Sequence, residues 1–284
     1  MGVYAVTGSA SGMGREVAEK LTAQGHRVIG VDIKEADVVA DLSTPDGRAD
    51  AVAAVLEKAD GKLDGAVLAA GLGPAPGPGR PRLIAEVNYF GVVELLDGWR
   101  AALAAADAAK VVVFSSNSTT TTPAVPRRTI KAFLNRDVDK VVSSVRVFGK
   151  TAPAIAYAGS KIAVSRWMRR TAVSREWAGA GIRMNALAPG AIWTPLLEKQ
   201  LATPSEAKAI KSFPVPIGGY GDAGQLADWV IFMLSDAASF LCGSVVFVDG
   251  GSDAFFRADD WPRSVPVRRI VGYLRRFRSF RPYN

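Results

Sequence analysis

The run "VYAVTG" passes through a glycine turn, "TGSASGMG" (7–14), straight into the helical period of "MGREVAEKLTAQG", and units of the same kind follow it. "RVIGVDI" reads as a second strand, "RADAVAAVLEKA" as a helix, "DGAVLAAG" as a third strand, "AEVNYFGVVELLDGWRAALAAA" as a long helix and "KVVVFSS" as a fourth strand. A helix over about 156–178, the strand "IRMNALAPG", a helix near 222–234 and the strand "GSVVFVDGG" complete the series. Short β-branched runs alternating with helices, the first of them stopped by Gly25, predict parallel strands joined by right-handed helical crossovers. The expected class is therefore α/β, a doubly wound parallel β-sheet with helices on both faces.

Two segments fall outside the alternation. Residues 119–152 form an insertion in which Ile130, Phe133, Leu134, Val138, Val141, Val142, Val145 and Phe148 recur at three- and four-residue steps, an amphipathic helix broken near Asn135. Residues 257–284 form a tail, leaving 1–256 as a single domain. "GLGPAPGPGRPR" (71–82) is too rich in Gly and Pro for regular structure and is expected to be a loop.

Composition excludes several classes. With 49% hydrophobic and 22% charged residues the chain suits a globular domain with an ample core. No run of eighteen apolar residues predicts a spanning helix. The start "MGVYAVTG" enters a strand with no basic region and no cleavage site, and Val6 stands where a myristoylation signal needs Ser or Thr. A lone cysteine, Cys242, forms no internal disulfide and fits a reducing cytoplasm. The lone histidine, His26, reads as a turn residue, and no cluster of metal ligands is expected. The formal charge of +8 is uneven: residues 257–284 hold eight arginines against Asp259 and Asp260, a net +6, and the remainder carries only +2.

The glycine turn suggests what the sheet binds. Gly8 permits the tight turn, Gly12 lets the backbone approach a pyrophosphate, and Gly14 allows close packing of helix on sheet, with Ser11 and Met13 between them. This is the dinucleotide-binding pattern of a Rossmann-type sheet. Asp32, followed by Ile33, closes the second strand eighteen residues after Gly14. A carboxylate there accepts hydrogen bonds from the adenosine ribose and repels a 2′-phosphate, which favours NAD over NADP. Ser11, standing where NADP-binding chains often carry a basic residue, agrees; Lys34 and Arg15 keep the opposite preference open.

With "DL" (41–42), "LAAG" (68–71), "EVNYFG" (86–91), "VVVFSS" (111–116), "YAGSK" (157–161) and "APG" (188–190) following in order, the chain resembles the short-chain dehydrogenase/reductase superfamily over about residues 3–253. The resemblance implies an oxidoreductase acting on a CH–OH group, with Asn88, Ser116, Tyr157 and Lys161 as its catalytic group. It further implies cofactor contacts from Asp41, Leu42, Ala70, Gly71, Pro189, Gly190, Ile192 and Thr194, beside Tyr157 and Lys161. Tyrosine is a weak base at neutral pH, with a reference pKa of about 10. A lysine ammonium one helical turn away would lower that value and would also donate to the nicotinamide ribose. Ser116 would hold the substrate oxygen against Tyr157, with Ser115, one residue earlier and facing the other side, as its rival. Asn88 would anchor a water that relays protons from Lys161.

The chain departs from the family in two places. It has Ala69–Ala70–Gly71 where the family usually has "NAG", and forty-one residues separate Ser116 from Tyr157, far more than usual. The long gap is similar to that of the bacterial 3α-hydroxysteroid dehydrogenase/carbonyl reductase branch, as are "DIKEADVVADLSTPDGR" (32–48), "LAAGLGP" (68–74) and "LAPGAIWTPLL" (187–197). In that branch the insertion makes subunit contacts, so the stripe at 130–148 is expected to bury against a second copy in a homodimer or homotetramer, with packing on its own domain as the alternative. Trp193, Leu196, Leu197 and Phe213 would wall a small hydrophobic alcohol or ketone substrate, such as a steroid.

Beyond the resemblance, Val267, Ile270, Val271, Leu274 and Phe277 fall on one helical face of the tail, with Arg268, Arg269, Arg275 and Arg276 on the flank or opposite side. Such a helix suits an anionic membrane surface, a partner subunit or solvent; no stacking platform supports nucleic acid. The rival to an enzyme is a non-catalytic NAD-binding protein that recruits partners or membrane through this tail.

Overall fold

The computed structural model describes residues 1–261 and 264–283, with side chains omitted at 196, 199, 200, 204–206 and 209, so Leu196 lies outside the described side chains. The chain runs β1 (Val3–Thr7), α1 (Gly12–Ala23), β2 (Arg27–Asp32), β3 (Val38–Val39), α2 (Pro45–Lys58) and β4 (Gly65–Leu68). It continues through α3 (Arg80–Ala85), a π-helical turn (Glu86–Phe90), α4 (Gly91–Ala104), β5 (Lys110–Phe114), α5 (Ser118–Thr121), α6 (Arg127–Leu134) and α7 (Val138–Val145). There follow α8 (Ala152–Thr171), β6 (Arg183–Pro189), β7 (Ile192–Trp193), α9 (Pro195–Leu201), α10 (Pro204–Lys211), β8 (Gly221–Asp222), α11 (Ala223–Leu234), β9 (Val245–Val248), α12 (Ser252–Arg257) and α13 (Ile270–Ser279).

Seven strands form one sheet in the order β3-β2-β1-β4-β5-β6-β9, every pair parallel. The order reverses between β1 and β4, so the loops after those two strands diverge and open a crevice at the carboxyl edge. Strand alternation sorts the core. Val111 and Val113 of β5 join Trp99, Leu96 and Met168 under α4 and α8, while Val112 and Phe114 join Leu21, Val230 and Met233 under α1 and α11.

Helix boundaries moved where capping chemistry or tertiary contacts overrode periodicity. The segment 71–82 is a loop only to residue 79, because Pro81 sits in the first turn of α3, where a missing N–H costs nothing. The long helix is interrupted by the π turn carrying Asn88. Helix α8 begins at Ala152 and ends at Thr171, earlier at both ends than 156–178; beyond it the Ser174 carbonyl takes the amides of Trp177 and Ala178 and turns the chain.

The insertion is two helices, α6 and α7, broken at Asn135–Asp137. Arg136 adopts a left-handed φ of 57°, and the Asp137 carboxylate caps α7 by accepting the Lys140 N–H at 2.9 Å. Part of its apolar stripe packs inside this chain, while Leu134, Val138, Val142 and Phe148 stay half-buried. Ile130, Phe133, Val141 and Val145 are buried within this chain. A Cβ on Gly159 of α8 would stand 3.2 Å from Thr129 and 3.3 Å from Phe133, so glycine there admits α6 across α8. The bond between the Thr129 and Ser144 hydroxyls, 2.8 Å, ties α6 to α7.

Candidate active site

A cavity of about 780 Å³ opens at the carboxyl edge of β1, β4, β5 and β6, within the range of roughly 300–1,000 Å³ typical of ligand clefts. At its floor the turn after β1 is built without side chains. Gly8, at φ 71°, would bring a Cβ to 2.8 Å from the Ala70 N. A Cβ on Gly14 would fall well inside contact of the Gly8 carbonyl oxygen and 2.7 Å from its carbon. Ser11, the N-cap of α1, makes no side-chain cap bond, so the first amides of the helix point into the cavity unclaimed. Gly12 and Met13 line it beside them. An anion is the ligand such a terminus takes.

Along one wall stand Asp32, Ile33, Asp41 and Leu42. One Asp32 carboxylate oxygen accepts the Ala10 N–H at 3.0 Å and the other accepts the Ile33 N–H at 2.7 Å. Each oxygen keeps a further lone pair for a hydroxyl donor. Arg15 is exposed and lies 3.6 Å from both Glu16 and Glu19, so its charge is engaged away from Asp32. Ala70 and Gly71 line the middle of the cavity, and Pro189, Gly190, Ile192 and Thr194 line the far side. The donor-rich helix start, the ribose-height carboxylate and the long cleft fit a dinucleotide.

At the inner end three predicted residues converge. Ser115 and Ser116 follow β5 on opposite sides. The Ser115 hydroxyl is buried against the Ser165 hydroxyl of α8 at 2.7 Å, whereas Ser116 faces the cavity beside Tyr157. The Ser118 N–H donates to the Ser116 oxygen at 3.1 Å, which leaves the Ser116 hydroxyl proton free to donate. Burial pushes the Tyr157 phenol above its ordinary value, and the Ser116 hydroxyl opposes that rise. Lys161, one turn on, is buried; its Nζ donates to the Phe114 carbonyl at 2.8 Å and lies 5.9 Å from the Tyr157 ring centre. Burial pulls its pKa down to about 8. Serine, rather than the ammonium, is thus the group that opposes burial at Tyr157.

Asn88 is wholly buried, and both ends of its amide are engaged: Oδ1 accepts the Leu72 N–H at 2.7 Å and Nδ2 donates to the Leu72 carbonyl at 3.0 Å. Its side chain therefore fixes the loop after β4, and keeps one N–H and one lone pair for a further partner. Trp193 is displaced from its expected role. It is half exposed and packs against Tyr220, 5.7 Å between ring centres, outside the lining, whereas Leu197 and Phe213 do line the cavity. The sequence reading missed Leu72, Pro74, Thr121, Thr122 and Ala154, which line the same inner end. The threonine run after Ser116 was the available signal for two of them.

Comparison with known proteins agrees with this geometry. A family model described as Enoyl-(Acyl carrier protein) reductase matches residues 8–253. The chain is 37% identical over 260 residues to the 3-alpha-hydroxysteroid dehydrogenase/carbonyl reductase of Comamonas testosteroni, covering 90% of this chain and 98% of that one. It is 29% identical over 271 residues to a short-chain dehydrogenase/reductase of Botryotinia fuckeliana, covering 88% and 95%. A crystal structure of the 3-alpha-hydroxysteroid dehydrogenase from Pseudomonas sp. B-0831 complexed with NADH superposes with a TM-score of 0.85 at 43% identity, over 91% of this chain and all of that one. The sheet, the crevice and these relatives give one conclusion: the chain belongs to the short-chain dehydrogenase/reductase family.

Proposed function

We propose that the protein catalyses the NAD-dependent interconversion of a secondary alcohol and a ketone on a steroid or another bulky hydrophobic carbonyl compound, with Tyr157 as its acid and base. The observation that carries this reading is the convergence of Tyr157, Ser116 and Lys161 at the apolar end of a dinucleotide-shaped cleft. The relatives, a 3-alpha-hydroxysteroid dehydrogenase/carbonyl reductase and a 3-alpha-hydroxysteroid dehydrogenase complexed with NADH, support the choice of substrate class and cofactor.

NAD supplies or accepts the hydride when bound. The amides of Ser11, Gly12 and Met13 would hold its pyrophosphate, Asp32 its adenosine ribose, and Leu42, Ala70 and Gly71 the adenine side. Pro189, Gly190, Ile192 and Thr194 would face its carboxamide end. Lys161, held to Phe114 through one proton, has two N–H groups left for ribose hydroxyls. Ser116 donates to the substrate oxygen and fixes it beside the Tyr157 phenol. In ketone reduction Tyr157 gives its proton to that oxygen, and in alcohol oxidation the phenolate takes it back. Asn88 acts as a positioning residue: it holds Leu72, and with it the loop between the cofactor and Lys161. The relatives that the chain matches are oxidoreductases, and none of them supports a non-catalytic NAD-binding role. The same reading makes the enzyme a cytoplasmic homodimer or homotetramer, with its basic tail available to a membrane surface.

Three substitutions test the assignment locally. Ser116→Ala should reduce kcat by roughly tenfold to a hundredfold, the scale of a lost positioning bond, while Ser115→Ala, which severs only the contact to Ser165, should leave kcat close to that of the unmodified enzyme. Steady-state rates of NADH formation read both, and equal losses would remove the distinction. Asp32→Ala should weaken NAD and improve NADP binding, measured as the ratio of kcat/KM for the two cofactors; an unchanged ratio would exclude Asp32 as the discriminating residue.

A further inference from the structure

Helix α13 presents an apolar face to solvent. Val267, just before it, is 83% exposed, and Val271 and Phe277 are 68% and 73% exposed. Leu274 completes the stripe, and Arg278 stands beside it at the C-terminal end, where its long stem lets the guanidinium snorkel. Residues 264–284 contain six arginines and no acid. The far end of the tail is tethered to the body: the Tyr283 hydroxyl donates to the Val173 carbonyl at 2.9 Å, and its side chain rests on Gly179.

The tether lies just beyond the end of α8, whose last turns carry exposed Arg166, Arg169 and Arg170, with Arg175 beyond them. Partial burial, and then repulsion from Arg170 and Arg127, pull the Arg166 guanidinium below its ordinary value, a sign of how closely the cations crowd here. The tether brings the end of the basic tail to the segment just after α8. The rest of the chain carries a net +2 against +6 in 257–284, so a second copy offers no net negative charge to match the tail. An anionic lipid surface offers that field together with an acyl boundary for the apolar stripe.

We infer that α13 docks in the headgroup plane of an anionic bilayer, with Val271, Leu274 and Phe277 turned inward and the arginines of the tail and of α8 on lipid phosphates. The benefit of docking rests on the alcohol/ketone reading, because a hydrophobic substrate partitions into the same bilayer.

The test is co-sedimentation of the full chain with vesicles of phosphatidylcholine alone and of phosphatidylcholine mixed with phosphatidylserine. The full chain should pellet with the mixed vesicles and stay in solution with the neutral ones. A chain lacking 264–284 should lose this binding. Each arginine near an anionic surface contributes roughly fivefold, so Arg275→Glu with Arg276→Glu should weaken binding by more than about tenfold. Leu274→Asp with Phe277→Asp should weaken it as well. Absence of binding, or equal binding to both vesicles, overturns the inference. So does a change in oligomeric state on deletion with vesicle binding intact, which would identify a second copy as the occupant. Binding to duplex DNA that is indifferent to the Leu274 and Phe277 substitutions and outcompetes the vesicles would identify a polyanion site instead, and would equally overturn it. Turnover of a water-soluble ketone should be equal with and without the tail; loss of turnover in both proteins would count against the activity while leaving the vesicle result to stand by itself.

Discussion

Tyr157→Phe should lower kcat by roughly 10²–10⁴, the contribution of a positioned acid/base group, while NAD affinity stays as it was. The ring survives the change, so the wall of the cleft is kept and only the proton carrier is lost. The pH dependence has a definite sign. Burial raises the Tyr157 pKa and the Ser116 hydroxyl lowers it, so alcohol oxidation, which needs the phenolate, should accelerate as pH rises. Ketone reduction, which needs the phenol, should slow over the same range. Lys161, its pKa pulled down to about 8 by burial, loses its charge as the medium becomes alkaline, but it is not the group that lowers Tyr157, so Tyr157 sets the sign of the profile. Profiles of kcat against pH in the two directions should slope oppositely, and parallel profiles would exclude Tyr157 as the shared acid and base.

The second large effect is expected at Gly14→Ala. The new methyl would press on the Gly8 carbonyl, and Gly8 is itself held by its left-handed φ and by the closeness of Ala70. Neither backbone can retreat alone, so the start of α1 must shift away from the turn. Overpacking of this kind costs about 1–3 kcal/mol of stability, and a displacement near 1 Å of the amides that face the pyrophosphate can cost on the order of 10²-fold in function. Gly25→Ala is the control. It too forces an L-residue into a left-handed φ, here 80°, but no atom stands within 4 Å of its Cβ. It should cost about 1–2 kcal/mol of stability and leave cofactor affinity unchanged. Calorimetric titration with NAD beside thermal unfolding separates the two; equal cofactor binding by both variants would mean that the glycine turn does not set the phosphate site.

What was legible in the sequence was local. The strand–turn–helix unit, Asp32 at a strand end and Tyr157 four residues before Lys161 follow from periods of two and 3.6, and each stands in the cleft. The same alternation separated Ser116 from Ser115. The parts that eluded the sequence depend on which surfaces meet in three dimensions. The stripe at 130–148 has the same pattern whether it covers a neighbour or its own domain; Gly159 of α8, through a missing side chain, lets part of it pack at home. Asn88 has the residue type for a relay, and only the fold shows that its amide also holds Leu72 from the π turn. Trp193 turns away because Tyr220, from the strap that pairs β7 with β8, offers it a ring. Each outcome depends on a partner distant in sequence.

Transfer of isotope tests the central claim most directly. The protein is incubated with NAD and a 3α-hydroxysteroid deuterated at the carbinol carbon, and the deuterium content of the reduced cofactor is measured against the ketone formed. One deuterium should appear in the cofactor for each ketone, and the rate should collapse in Tyr157→Phe with cofactor binding intact. Ketone formed without deuterium in the cofactor, or an undiminished rate in Tyr157→Phe, would contradict the account.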